Sequence, residues 1–245
     1  MWAKACAALV VAFVVLVPTS AQAMQIGAYP DSHVGAFGVH AKIAQPLATA
    51  TDTAPRVYNV GATLADGTFI QTGYLDPASD QTDACNGTGL GWFVTILLPN
   101  GGYGGPAGYN SGGCGLTGTH WFALVRTQSS PTVIWQAKLD GVAIGPSYTT
   151  SSSGGWAWSN STSIFSEYVS TTPPPPGVPL ATVEYSPALE LLLTDGAWHG
   201  AGHGRYLATQ DAICPQFHVH LVAANDVQAK KSPTSECRKQ DDPLW

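Results

Sequence analysis

Short runs in which apolar and polar residues alternate recur along most of the 245-residue chain. A period of two is the pattern of a strand with one buried face, and Gly, Pro, Asn and Asp clusters separate the runs as turns do. The predicted strands are Ala36–Ile43, Val57–Leu64, Thr68–Leu75, Gly91–Leu98, His120–Thr127, Val133–Leu139, Val142–Ile144, Ser163–Ser170, Ala181–Leu193 and one near Phe217–Val222. This number of strands, with hardly any helical spacing, predicts an all-β, two-sheet antiparallel β-sandwich.

Two Asp-Gly pairs predict tight hairpins. Asp140-Gly141 separates two predicted strands, and a two-residue type I′ turn requires positive φ at both of its positions. Asp66-Gly67 gives the same signal just before the strand that contains Gln71. Val57–Leu64 is therefore the expected partner of that strand.

The chain is predicted to hold one domain behind a cleaved leader. Residues 1–23 contain an early Lys, an apolar run of roughly 11 residues against the ~20 of a membrane helix, and Ala-Gln-Ala. This pattern indicates a signal peptide, so we expect a secreted protein without membrane contact after cleavage. Residues 24–223 are the expected sandwich and 224–245 a polar tail. Pro173–Pro176 cannot donate to a ladder and predict a surface loop, with a short interdomain linker as the alternative.

Composition indicates which classes of partner to expect and in which cellular compartment the protein folds. Charged residues are 11% of the chain, the net charge is -6 and no basic cluster occurs, so nucleic acid is excluded as a partner and a monomer is expected. The even number of cysteines after the leader predicts two disulfides in an oxidising compartment. The favoured pairing joins Cys85 with Cys114 and Cys214 with Cys237, because each bond closes a local loop. The other two pairings stay open.

Two polar residues stand among apolar neighbours on predicted strands. Gln71 lies within Phe-Ile-Gln-Thr-Gly-Tyr-Leu-Asp, and Glu167 within Ile-Phe-Ser-Glu-Tyr-Val-Ser. Glu167 is one of only four Glu residues in the chain. A carboxylate on an apolar stripe is costly unless it is protonated or hydrogen-bonded, and such an environment tunes a general acid or base. If Gln71 and Glu167 meet in the fold, they form a carboxamide–carboxylate pair able to activate water.

These two segments resemble the catalytic strands of the glutamic peptidases called eqolisins. Gln71-Thr72-Gly73 is similar to the Q-x-G strand of that family, and Ser166-Glu167-Tyr168-Val169 to its A-E-W-I-like strand. Pro179-Leu180-Ala181 is similar to the start of the strand that follows. The resemblance implies a concanavalin-like jelly roll and an endopeptidase that hydrolyses polypeptide in acid without a cofactor or metal. It also implies that Glu167 is the general base and acid, and that Gln71 positions water and stabilises the oxyanion.

Aromatic residues near the two motifs are candidates for substrate binding. Trp156 and Trp158 lie two residues apart before the Glu167 strand, and Tyr74 follows the Gln71 motif. A second possible pair of catalytic carboxylates is Glu167 with Glu184, which resembles the two-Glu arrangement of neprosin-type peptidases. The alternative function is a non-catalytic concanavalin-like module that binds carbohydrate or another extended polymer.

Four histidines lie close together late in the chain. They are His199, His203, His218 and His220, and the last two share a face if they lie on one strand. Their spacing matches no established zinc motif. Surface or hydrogen-bonding roles are therefore expected for them, and no metal is predicted.

Overall fold

The computed structural model describes residues 24–30, 36–46, 56–76, 90–99, 111–128, 133–150, 162–168, 183–200, 206–210, 218–223, 226–230 and 242–243. These residues form β1 (Met24–Pro30), β2 (Gly38–Ile43), β3 (Arg56–Thr63), β4 (Phe69–Asp76), β5 (Gly91–Leu97), β6 (Ser111–Cys114), β7 (His120–Gln128), β8 (Val133–Leu139), β9 (Val142–Thr150), β10 (Thr162–Tyr168), β11 (Val183–Tyr185), β12 (Glu190–Leu192), β13 (Trp198–Gly200), β14 (Tyr206–Gln210), β15 (His218–Ala223), β16 (Asp226–Lys230) and β17 (Asp242–Pro243). No helix in these ranges is long and apolar enough to cross a membrane.

The strands form two antiparallel sheets. The first has the order β17-β14-β1-β10-β3-β4-β5-β6. The second has the order β15-β16-β11-β2-β7-β8-β9, with β12 paired to β2 and β13 paired to β12. This confirms the predicted two-sheet antiparallel β-sandwich.

The core lies between the two sheets and is filled by one face of each. On β3, Tyr58, Val60 and Ala62 are buried in the main cluster, and on β7 Phe122 and Leu124 join them. Strand residues alternate between faces, so the residues between these point away from the main core. That outer face of β3 and β4 carries Gln71, as the next subsection describes.

Both predicted hairpins are present. Asp140 and Gly141 have φ of 49° and 82° at the turn between β8 and β9, which is the type I′ geometry that the Asp-Gly pair predicts. Asp66-Gly67 turns the chain between β3 and β4, with φ of 83° at Gly67. The two strands pair in register from Arg56–Asp76 to Thr63–Phe69. The predicted partner of the Gln71 strand is therefore confirmed.

The prediction of one strand over Ala181–Leu193 is wrong. This stretch forms two short strands, β11 and β12, and both pair with β2. Ser186 donates its N–H to the Lys42 carbonyl, and Lys42 donates to the Pro187 carbonyl, so β2 also bonds to the break between them. Pro187 has no N–H to continue a ladder, which explains why a single strand cannot run through.

The prediction that residues 224–245 are a polar tail is also wrong in its first part. β16 lies between β15 and β11, and its Val227 and Ala229 are buried in the main core. Only two apolar residues in alternation mark this strand in the sequence, which is too weak a pattern to predict it. β17 extends the other sheet at its edge.

Several predictions fall wholly or partly outside the described residues. Residues 1–23 and Pro173–Pro176 lie there, as do all cysteines except Cys114. Cys114 is disulfide-bonded. The two favoured cysteine pairings stay predictions.

Replacing Gly73 by Ala should destabilise the protein by about 1–3 kcal/mol or more, the cost of overpacking an interior. A Cβ at this position would overlap the Tyr58 carbonyl oxygen and lie 2.6 Å from the Asn59 Cα, and backbone atoms cannot move aside as a flexible side chain can. Urea unfolding would measure the loss, with Thr149→Ala at an exposed position of β9 as control. Equal stability of Gly73→Ala and wild type would contradict this account of the close approach between β3 and β4.

Candidate functional site

Gln71 lies on the outer face of the first sheet. Its neighbours in sequence, Ile70 and Thr72, are buried on the opposite side of β4, and Ile70 belongs to the main core. Across the ladders, Gln71 is opposite Gly61 on β3 and Thr95 on β5. The side chain is therefore fixed in the middle of a sheet, between two strands that hold it from both sides.

The carboxamide oxygen of Gln71 is buried and has no hydrogen-bond partner among the described residues. The hydroxyl of Thr95, on the neighbouring strand β5, is also buried and has no hydrogen-bond partner among the described residues. Buried polar atoms in native proteins nearly always have partners, and each one without a partner calls for an explanation. A water molecule or a bound ligand at this point would satisfy both groups.

The surroundings of Gln71 are aromatic and narrow. A Cβ at Gly61 would come within 2.6 Å of the Phe69 ring, so that ring covers the glycine opposite Gln71. Phe69 in turn meets Phe165 edge to face, with ring centroids 6.2 Å apart. On the far side of Gly61 lies Ser163 of β10, which is buried. The Gln71 amide thus has aromatic rings nearby and the small residues Gly61 and Ser163 across β3, in surroundings less polar than water, where polar interactions are stronger.

Glu167 lies on the same sheet as Gln71, but the pairing of the strands does not place the two residues side by side. Glu167 pairs with Val57 on β3, whereas Gln71 pairs with Gly61 on the other side of that strand. The two positions are four residues out of register with β3 between them, which is about 13 Å along the strands and about 10 Å across them. The expected adjacency of Gln71 and Glu167 on neighbouring strands is therefore not what the register gives. The even offset keeps the two positions on the same face of the sheet.

Tyr74 is not a substrate-binding residue, which corrects the prediction from sequence. Its side chain is fully buried between the sheets, where it packs edge to face on Phe122 at 5.1 Å and donates its hydroxyl to the Gly118 carbonyl at 2.6 Å. The reason is the alternation of the strand, since Tyr74 is three residues from Gln71 and faces the other way. Trp156 and Trp158 lie outside the described residues.

The alternative pair of Glu167 with Glu184 does not form in this fold. Glu184 is on β11 of the second sheet, whereas Glu167 is on β10 of the first. Glu184 is also exposed. Two carboxylates on different sheets, one of them in solvent, cannot share a water.

The late histidines lie apart in the chain segments that the structure describes. His199 is exposed and bonds to Asp195 at 2.8 Å, while His203 lies outside the described ranges. His218 and His220 are on β15. Within the described ranges, no group of three His, Cys, Asp or Glu residues could hold a metal ion.

A second polar cluster, centred on His40, was not predicted from the sequence. The His40 ring bonds to Glu190 at 2.5 Å and stacks on Trp198, with centroids 3.7 Å apart. Burial lowers the pKa of His40 below its ordinary value of 6.5, although Glu190 acts in the opposite direction. A histidine at a polar position of an alternating strand was the one signal available, because Glu190 and Trp198 are 150 or more positions away in the chain.

Comparisons with known proteins give a likeness in structure alone. A crystal structure of scytalidoglutamic peptidase with a peptide-based transition-state analogue matches with a TM-score of 0.53 at 14% identity, over 86% of this chain and 98% of that one. A structure of SCP-B, an eqolisin-family peptidase in complex with the tripeptide Ala-Ile-His, matches with a TM-score of 0.49 at 15% identity, over the same shares of the two chains. No protein-family model matches the sequence, and comparison with curated proteins gives no match. At 14% identity, the likeness to scytalidoglutamic peptidase shows that the two chains share a fold.

The His40→Gln variant should have a free energy of unfolding that depends less on pH than that of wild type between about pH 7 and 5. Folding lowers the pKa of His40, so the neutral form of its ring contributes to the free energy of unfolding. This contribution is complete above the unfolded pKa near 6.5 and is lost as the pH falls, at no more than about 1.4 kcal/mol per pH unit for one proton.

Denaturant unfolding at several pH values checks this, with His199→Gln as the matched control. His199 is exposed on β13, where its ring bonds to Asp195, and β12 separates it from His40 on β2. The prediction is wrong if the two variants follow the same pH dependence.

Proposed function

We propose that this protein is a secreted glutamic endopeptidase that hydrolyses polypeptides in acid. The observation that carries the proposal is the Gln71 carboxamide, whose buried oxygen has no partner among the described residues and which lies in a Gln-Thr-Gly strand. The shared fold with scytalidoglutamic peptidase, over 98% of that chain, supports it. The peptide-based transition-state analogue bound to that peptidase supports polypeptide as the substrate class here.

In this proposal Glu167 and Gln71 have the roles that the resemblance implies. The Glu167 carboxylate takes a proton from water as the water oxygen attacks the peptide carbonyl carbon. The Gln71 amide N–H donates to the oxygen that becomes an oxyanion. The protonated Glu167 then gives its proton to the departing nitrogen as the C–N bond breaks. The products are a new carboxyl group and a new amine, and no covalent enzyme intermediate forms.

This mechanism requires Glu167 to reach Gln71 through a change in the register of β10. A slip of four residues along β3 would move Glu167 from Val57 to Gly61. Glu167 would then be level with Gln71, with only Gly61 of β3 between the two positions, about 10 Å across the sheet. Because the slip is even, every β10 side chain keeps its face. The slipped ladder would end with Thr172 at Arg56, so Pro173, which has no N–H, would fall just outside it. We propose this slipped register as the active one.

A second candidate is a non-catalytic module that binds an extended polymer across the Gln71 face. The described registers favour it, because the positions beside Gln71 on the adjacent strands are Gly61 and Thr95, neither of which is an acid, and Glu167 pairs with Val57, four positions away along β3. This candidate needs no slip. It leaves the Gln71 amide as a hydrogen-bonding group for a bound backbone.

Purified protein without its leader should cleave denatured casein between about pH 2 and 5, the range in which a carboxyl group acts as general base. Glu167→Gln should lower kcat by 10²–10⁴-fold, about the contribution of a general acid-base group. Gln71→Ala should lower kcat by about 10²–10³-fold, the cost of an oxyanion donor. Peptide release measured by mass spectrometry gives the rates.

Glu184→Gln is the matched control for this experiment, since it makes the same change at an exposed carboxylate on the other sheet. It should cleave casein at the wild-type rate. Folded wild-type protein that cleaves nothing at any pH would favour the binding module. Cleavage that survives in Glu167→Gln would show that another group supplies the acid-base chemistry.

The slipped register predicts that Val57→Cys and Thr171→Cys, introduced together, form a disulfide and leave the casein activity intact. In the slipped ladder residue 171 lies opposite residue 57, and opposite positions on adjacent strands are close enough to be bridged. Non-reducing peptide mapping detects the bond, with Val57→Cys alone as control. Activity lost on oxidation and restored by reduction would show that the slipped register is not the active one.

A further inference from the structure

A pocket of about 460 Å³ opens on the outer face of the second sheet, away from Gln71. Val39, Ala41, Phe122 and Leu124 of β2 and β7 are buried in the core, so the residues between them face outward. Ala123 forms part of the pocket floor, and its small side chain leaves a depression between larger neighbours. The Gln71 site and this pocket lie on different sheets, so one does not depend on the other.

Two tryptophans line this pocket and a histidine fixes them. The His40 ring lies parallel to Trp198, with an 8° angle and 3.7 Å between centroids, and meets Trp121 at 42° and 4.3 Å. Glu190 holds the other side of the histidine through a 2.5 Å hydrogen bond. These contacts restrict both tryptophans before any ligand arrives, so little conformational entropy remains to be lost on binding.

The charges around the pocket balance. Lys42 lies 5.9 Å from the centroid of the Trp121 ring, and Lys138 is part of the lining. Against these two cations stand two carboxylates, Glu190 and Asp140. Asp140 accepts from the backbone N–H of Trp121 at 2.9 Å and bonds to the His120 ring at 2.5 Å. Of these four groups only Lys138 and Asp140 belong to the lining, one of each sign, so the lining has no net charge that would favour a charged ligand.

Lys138 is the polar group of the lining that is available to a ligand. It forms no ion pair with any residue in the described part of the chain. A lining that combines an ammonium group with two tryptophans suits a molecule with apolar C–H faces and hydroxyl groups at its edge. A purely apolar peptide side chain would use the tryptophans and leave the ammonium without a role.

We propose that this pocket binds a sugar ring of a neutral polysaccharide. The C–H face of the ring would contact Trp121 and Trp198 over the Ala123 floor, and Lys138 would donate to a ring hydroxyl. The volume accommodates a ring and part of its neighbour in a chain. The site is a non-catalytic anchor, which would hold the protein on a glycan surface whatever its other face does.

The test titrates the protein with cellohexaose, laminarihexaose, chitohexaose and mannohexaose, each up to 10 mM, and follows tryptophan fluorescence and binding heat. At least one of these probes should bind. Trp198→Ala and Trp121→Ala should each weaken that binding by tenfold or more, and Lys138→Ala by about threefold to tenfold, in line with removal of a single hydrogen bond.

Trp92→Phe on β5 is the control for a tryptophan outside the pocket, and it should bind as wild type does. Lys138→Ala also keeps the test valid if a tryptophan variant fails to fold, because it leaves the aromatic walls in place. No binding of any of the four probes at 10 mM overturns the proposal. So does equal binding by folded Trp198→Ala and wild type, or binding of N-acetyl-tryptophanamide with none of the saccharides bound.

Discussion

The register of the β3–β4 hairpin is the constraint on which the core and the candidate site both depend. Gly61 lies opposite Gln71, and from that pairing every other residue of the two strands is assigned to a face. One face supplies Tyr58, Val60 and Tyr74 to the main core, and the other presents the carboxamide. A slip of one residue would exchange the two faces and bury the amide in the core. The Asp66-Gly67 turn and the close approach at Gly73 both fix this register.

Local sequence signals predicted the strands that alternate clearly and the turns with fixed chemistry. Val133–Leu139 was predicted with its observed bounds, and the Asp140-Gly141 turn with its positive φ angles. Short or polar strands such as β6 and β16 were missed, because two or three apolar residues give no measurable period. The error at Tyr74 was avoidable, since counting three residues from Gln71 already places it on the opposite face.

The position of Gln71 was available from its own strand, but the position of Glu167 relative to it depends on how distant strands pair. No local pattern contains that information, because the register of β10 on β3 joins residues 100 or more positions apart.

Acid affects the two faces of the molecule differently. On the second sheet, the His40 cluster loses its stabilising contribution as the pH falls through the ordinary range of histidine. Asp140 follows at lower pH: burial raises its pKa, but the bonds from the Trp121 N–H and His120 outweigh this and hold it below 3.8, so its contribution is lost as that carboxylate protonates. Among described residues, the Gln71 neighbourhood contains amide, hydroxyl and aromatic groups, which do not titrate in this range. The sheet that carries Gln71 has its acid-sensitive contact elsewhere, in the buried ion pair between Arg56 and the Asp76 carboxylate at the ends of β3 and β4, which is lost if Asp76 is protonated.

The position of β1 has a consequence for how the chain reaches its folded state. This strand lies inside the first sheet, between β10 and β14, so its partners come about 140 and 180 residues later, as the pairs Gln25–Glu167 and Ile26–Gln210 show. During synthesis the early strand has no neighbour until nearly the whole chain has emerged. Folds that depend on such distant contacts form slowly and leave strand edges open meanwhile. The time between synthesis and closure of this sheet, rather than the stability of the finished sandwich, would then limit the yield of folded protein.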